Sequence, residues 1–242
     1  MVAFSGSDPI GVLIGAKRPS GTLIHKIAVH PDHVRQGHGR HLLTSLGSKL
    51  AILGPPRMVA EVPETFDAAS GLFSANGYVQ ETFLTDYVLH PTAHTTRRGG
   101  PGEPVEPDVP EVIGRFVIPV TVDDLAANDL LEEANSPVCW ERSVETLTAR
   151  KDDLAGLGVA SDERIEAYVL YTPGAEIVAL RSCVEDGGAR LRRLLAQLRA
   201  RGTETLRFPK VHPAEISKER LQMLGFSPAG GHLLYAARAR SA

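Results

Sequence analysis

With 242 residues, 43% of them hydrophobic and 23% charged, the chain can bury ordinary cores and suits two domains of about 100 to 150 residues each. A formal charge of −3 creates no field for nucleic acid, and two cysteines without a CxxC spacing, Cys139 and Cys183, exclude a disulfide scaffold and point to a reducing, cytoplasmic setting. No apolar run approaches the roughly 20 residues of a membrane helix, and the N-terminus lacks a basic region followed by an apolar one, so neither membrane nor secretory leader is expected.

Strands are predicted at Val2–Ser5, 10–16 and Thr22–Val29, the last ended by Pro31, which cannot donate to a ladder. Next comes a basic glycine turn, Arg35-Gln36-Gly37-His38-Gly39, and then a helix whose Leu42, Leu43, Leu46 and Leu50 recur at helical spacing until Gly54-Pro55-Pro56. Glycines at a helix start let backbone N–H groups turn toward a guest, and the helix dipole favours an anion there, phosphate or pyrophosphate above all. No Gly-Lys-Ser/Thr follows, which excludes a nucleoside-triphosphate loop, and Leu42 stands where a dinucleotide fingerprint needs its third glycine. A strand at 58–62 and a short helix closed by Gly77-Tyr78 complete this half.

Ile27-Ala28-Val29, Pro31, Gly37, Gly39 and Gly77-Tyr78 together resemble the GNAT superfamily of acyl-CoA-dependent N-acetyltransferases, over about residues 2 to 90. One departure is Val34, which occupies the family's opening Gln/Arg position, with Arg35 and Gln36 immediately behind it. The resemblance implies acetyl-CoA as cosubstrate, with its pantetheine along Ile27, Ala28 and Val29. Its pyrophosphate would lie on Val34, Arg35, Gln36, Gly37, His38, Gly39 and Arg40, and an amine acceptor, a small molecule or a protein amino group, would attack the thioester directly. The base is His25, two residues before Ile27 and taken to share its strand face, or Glu61 on the next strand, or water. Family members place a tyrosine acid four residues before the closing glycine; here that coenzyme-facing position holds Phe73. Its lack of a hydroxyl keeps a second reading open, a non-catalytic acyl-CoA-binding, regulatory or scaffold protein.

Residues 91–110, with five prolines and three glycines, read as an extended linker. Beyond it, helices are expected at 122–134, capped by Thr121 or Asp123, and at 143–150, then strands at 156–160, Ile165–Tyr171 and 176–182. At an offset of 148 residues, Leu43, Leu46, Leu50, Gly54 and Gly77-Tyr78 fall on Leu191, Leu194, Leu198, Gly202 and Gly225-Phe226 without a gap. The expected fold is therefore α/β, of the α+β kind. It has two tandem GNAT-like lobes, 1–90 and 111–242, each a mixed, mainly antiparallel sheet flanked by helices.

The same register sets Glu185 on Gly37 and Cys183 on Arg35, so the second lobe should have lost coenzyme binding. Its Arg190, Arg192, Arg193, Arg199 and Arg201 read as the solvated face of an amphipathic helix. The first lobe begins with strands alone, whereas a complete lobe would open with a strand and a helix pair. Its N-terminus is expected to be abbreviated or covered by another element, a second subunit in a homo-oligomer being one candidate. His30, His33, His38 and His41 lack the ligand set of a metal site. Cys139 and Cys183 read as small buried residues, and Trp140 and Glu141 as cleft or core.

Overall fold

The computed structural model describes residues 1–91, 116–131, 138–202 and 205–239; the expected linker lies outside them except for Pro91. The elements run β1 (Val2–Ser5), β2 (Asp8–Lys17), β3 (Thr22–Val29), α1 (His38–Leu53), β4 (Arg57–Pro63), α2 (Asp67–Ala75) and β5 (Val79–Leu89). They continue with β6 (Phe116–Pro119), α3 (Val122–Ala127), α4 (Val144–Ala149), β7 (Ala155–Ala160), β8 (Ile165–Tyr171), β9 (Ile177–Ser182), α5 (Ala189–Ala200), β10 (Leu206–Val211), α6 (Lys218–Met223) and β11 (Ser227–Arg238). Contacts gather them into two compact units, Met1–Leu84 with Gly230–Ala242, and Thr85–Ala229. These are not consecutive segments, as lobes at 1–90 and 111–242 would be.

In the first unit β1, β2 and β3 form an antiparallel meander, and β3 pairs in parallel with β4. The far edge of β4 is taken by β11, antiparallel, from His232 opposite Pro63 to Arg238 opposite Arg57. The C-terminal strand thus returns to complete the N-terminal unit, because it offers β4 an uninterrupted ladder. Leu42, Leu43, Leu46 and Leu50 of α1 are buried with Leu13, Ile24, Met58, Ala60, Val62 and Tyr235, each large aliphatic side chain worth roughly 1.5–3 kcal/mol. Lys17 Nζ donates to Leu53 O at 2.6 Å and satisfies a carbonyl at the helix C-terminus. On the opposite sheet face Val2, Phe4 and Ile14 are 50%, 61% and 48% exposed, so no helix of the described first unit covers that end.

In the second unit β6 to β9 form one antiparallel sheet, with β7, β8 and β9 buried on both faces and β6 an exposed edge. Ala167 and Val169 pack with the α5 leucines, while Tyr168 and Leu170 pack with Val122 and Leu125 of α3 and Leu147 of α4. Alternate side chains therefore serve different cores, which explains the unbroken apolar run. The helix expected at 143–150 is found with Ser143 and Arg150 as its caps, whereas α3 stops at Ala127, short of the expected 134, of which 132–134 lie outside the described residues. A capping box between Thr121 and Asp124, not Asp123, starts α3, and Asp129 at φ 55° follows its end. Arg142 is buried, donates Nε to Glu215 at 2.9 Å and a terminal nitrogen to Pro209 O at 2.7 Å, and lies 4.9 Å from the Phe208 ring.

The two units close α2 and α6 alike. Gly77 N–H donates to Ser74 O and Tyr78 N–H to Phe73 O, both at 3.1 Å; Gly225 N–H donates to Gln222 O at 2.9 Å and Phe226 N–H to Leu221 O at 3.0 Å. Both glycines are left-handed, at φ 80° and 89°, the conformation this C-terminal stop requires. The 148-residue register holds at these positions.

Candidate functional site

Only Thr22 and Leu23 of β3 are in register with β4, opposite Met58 and Val59. Beyond that pair, among the described residues, the strands are no longer paired. The β4-facing backbone edge of β3 from Ile24 to Val29 is therefore open, while β4 remains held by β11. His25 and Glu61 each lie two residues past the last pair and flank the widening split. His25 is exposed and Glu61 half-buried.

The expected sharing of a face by His25 and Ile27 fails. The β2–β3 register passes from Ile14 opposite Lys26 to Gly15 opposite Ile24, which leaves His25 as the extra residue of a bulge. Alternation is broken there, so Ile24 and Ile27, three residues apart, both pack on the core.

From Val29 the chain turns through a single 3₁₀ turn, Pro31–His33, to an extended, exposed Val34. Arg35 and Gly37 are both left-handed, at φ 64° and 88°, which curls the backbone tightly before α1. Gly37 is the N-cap, no side chain caps the helix, and the first intrahelical bond shown is His41 N–H to Gly37 O at 2.9 Å. The N–H groups of His38, Gly39 and Arg40 therefore point out of the helix without an internal acceptor. A Cβ on Gly37 would meet nothing within 4 Å, so the cradle is open to a guest. Gly39 differs: its missing Cβ makes room for Leu72, whose methyl carbons lie at 3.3 and 3.4 Å from that position. It serves helix packing. Gln36 Nε2 donates to Asp32 O at 3.1 Å and so braces the loop. His30, His33 and His38 contact edge to face, with centroids 5.9 and 6.0 Å apart.

Phe73 does not line the cradle. It is 3% exposed, edge-on to Tyr78 at 5.1 Å and nearly parallel to Tyr235 at 5.9 Å. Tyr78 donates to Met58 Sδ at 3.6 Å, and burial pushes its phenol well above the ordinary value.

The second unit holds a counterpart turn, closed by a residue the sequence reading passed over. α5 starts at Ala189, three residues later than the 148-residue register from His38 implies, and its left-handed N-cap is Gly188 at φ 84°. Glu185 is therefore not the counterpart of Gly37; it lies exposed and pairs with Arg220 at 2.9 Å. Asp186 occupies the start of this helix. Its carboxylate accepts from Gly188 N–H at 2.8 Å, Arg190 N–H at 3.0 Å and Arg190 Nη1 at 2.9 Å. Burial would raise this carboxyl, but the bonds from Arg190 and Gly188 outweigh it and hold it below the usual carboxylate range. The acid two residues before the cap and four before Arg190 was the sequence signal. Arg190 also meets Glu166 at 2.8 Å and is not part of a solvated face, and Arg199 donates to His90 O. Arg192, Arg193 and Arg201 are exposed, as is Cys183, while Cys139 is buried.

Residues 1–80 match the acetyltransferase (GNAT) domain family. Among solved structures the chain is similar to a tandem GNAT protein from the clavulanic acid biosynthesis pathway, with 17% identity and a TM-score of 0.61 over 100% of this chain and 82% of that one. It is also similar to a GCN5-related N-acetyltransferase from Sphaerobacter thermophilus, with 14% identity and a TM-score of 0.62 over 97% and 78%. At these identities the likeness concerns the fold. Comparison with curated protein sequences gives no significant match. The fold is that of tandem acetyltransferase-like lobes. The family match thus belongs to residues 1–80, and the rest of the chain shares the fold; acyl-CoA-dependent acetyl transfer is the general chemistry that the matched domain supports. No helix among the described residues is long and apolar enough to cross a membrane.

Proposed function

We propose that the chain is an N-acyltransferase that takes acetyl from acetyl-CoA to an amine by direct attack, with coenzyme held by the first unit alone. The open edge of β3 running into the uncapped start of α1 carries this reading. The backbone of Ile27, Ala28 and Val29 would pair with pantetheine as an added strand. The N–H groups at Gly37 to Arg40, with the exposed Arg35 and Arg40 guanidiniums beside them, fit a pyrophosphate; the open space at Gly37 meets the requirement for close approach. When bound, the coenzyme supplies the activated acyl group. His25, exposed at the bulge, or Glu61 across the split would take the proton from the attacking nitrogen, directly or through water. Asp186 leaves no equivalent opening in the second unit.

The test is thiol release from acetyl-CoA against a panel of small amines and peptides with free amino groups. Amine-dependent release supports transfer. Coenzyme binding without release from any acceptor would favour the non-catalytic acyl-CoA-binding reading, for which phenylalanine at position 73 in place of a tyrosine acid speaks, and absence of binding would defeat both.

A further inference from the structure

Breaking a thioester expels a thiolate whose conjugate acid titrates near pH 8.5, so a proton donor beside the sulfur eases the step at neutral pH. Three aromatic rings stand in contact on the helix-covered face of the first unit. Phe73 has no proton to give. Tyr78 directs its hydroxyl to Met58 Sδ. Tyr235 is different: its ring is 5% exposed, yet its hydroxyl makes no hydrogen bond to any described residue. Nor is that oxygen among the fully sealed, unpartnered ones such as Thr22 Oγ1 and Ser70 Oγ. A buried phenol ordinarily spends its hydroxyl on a partner, as Tyr168 does on Leu130 O at 3.2 Å.

The position fits a task. Tyr235 stands opposite Ala60 in the β4–β11 ladder, and Ala60 is the first β4 residue past the last β3–β4 pair. Tyr235 is therefore the cross-strand neighbour of the β4 residue at which the split begins. The rings of Tyr235 and Phe73 are nearly parallel, 20° apart, at 5.9 Å.

We infer that Tyr235, delivered by the last strand of the chain, is the acid that protonates the departing thiolate; this rests on the acetyl-transfer reading above. The amine nitrogen bonds to the acyl carbon as the carbon–sulfur bond breaks with its electron pair to sulfur. The Tyr235 proton passes to sulfur, which leaves as the free thiol. The nitrogen proton goes to His25, Glu61 or water, and the phenolate takes a proton back from solvent.

Tyr235→Phe should lower kcat by roughly 10²-fold, within the usual range for a general acid, with KM for acetyl-CoA changed less than about twofold. With a donor of acidic leaving group, an acetyl thioester of an aromatic thiol, the loss should shrink severalfold. Adding Phe73→Tyr to Tyr235→Phe should restore kcat at least about tenfold, since it moves the hydroxyl to the adjacent ring. A binding readout needs no turnover: the wild-type chain should hold coenzyme A more tightly than desulfo-coenzyme A, and Tyr235→Phe should make the two equal. Unchanged kcat and unchanged discrimination in Tyr235→Phe would overturn the assignment. So would a loss of kcat that is equal for both donors and not rescued by Phe73→Tyr, which would mark a packing role. If the wild-type chain binds neither coenzyme form, the acetyl-transfer reading itself fails.

Discussion

Gly37 and Gly39 belong to one short motif, yet they should respond oppositely to alanine. Gly37 sits at φ 88° with open space around its Cβ position, so Gly37→Ala carries the left-handed penalty of an L-residue, roughly 1–2 kcal/mol, with no packing cost. Gly39 is inside α1, where alanine gains up to about 1 kcal/mol of helix propensity. Its Cβ would approach the Leu72 methyl carbons at 3.3 and 3.4 Å, and a side-chain adjustment of that kind costs about 0.5–1.5 kcal/mol. The two nearly cancel. Gly39→Ala should therefore melt close to wild type, and Gly37→Ala several degrees lower, at about 2–4 °C per kcal/mol for a chain of this size. Circular dichroism melts of the two variants in parallel decide it. A Gly39→Ala variant at least as destabilised as Gly37→Ala would refute the assignment of one glycine to backbone conformation and the other to packing.

Asp186 is held low in the folded state, so it contributes stability above its unfolded pKa of about 3.9 and loses it as pH falls through the lowered folded value. Asp186→Asn should flatten the acid limb of stability below about pH 4, read from urea midpoints against pH; an unchanged limb would contradict the capping role. Arg142→Met, which removes the cation from the largely buried Glu215 carboxylate, should cost about 3–5 kcal/mol, and Glu215→Leu in the same chain should recover most of it. Residues 1–90 alone lack β11 and should give no dispersed NMR spectrum. Adding a peptide of residues 227–242 should restore one, whereas a well-dispersed spectrum of 1–90 by itself would show that β11 is dispensable.

Local chemistry was the legible part of the chain. The β-branched run ended by Pro31, the leucine spacing of α1 and α5, and the closing Gly-aromatic pairs each encode their own structure over a few residues. What escaped depends on partners distant in sequence. The capture of β4 by β11 is decided by ladder continuity, which no adjacent residue announces, and with it came Tyr235. The bulge at His25 arises from register with β2 and shifts side chains between faces. The late start of α5 comes from the Asp186 hydrogen bonds, and a gapless register set by leucines at the other end of the helix could not show it. Phe73 followed the same logic: its spacing to Gly77 was correct, but its surroundings, Tyr78 and Tyr235, make it core.

The central claim is a single coenzyme cradle in the first unit, and calorimetric titration of coenzyme A into the full chain tests it most directly. One site per chain is expected, lost in Gly37→Glu with the fold intact by circular dichroism, because a carboxylate would enter the space where pyrophosphate oxygens belong. Two sites per chain, or an undiminished affinity in Gly37→Glu, would contradict it.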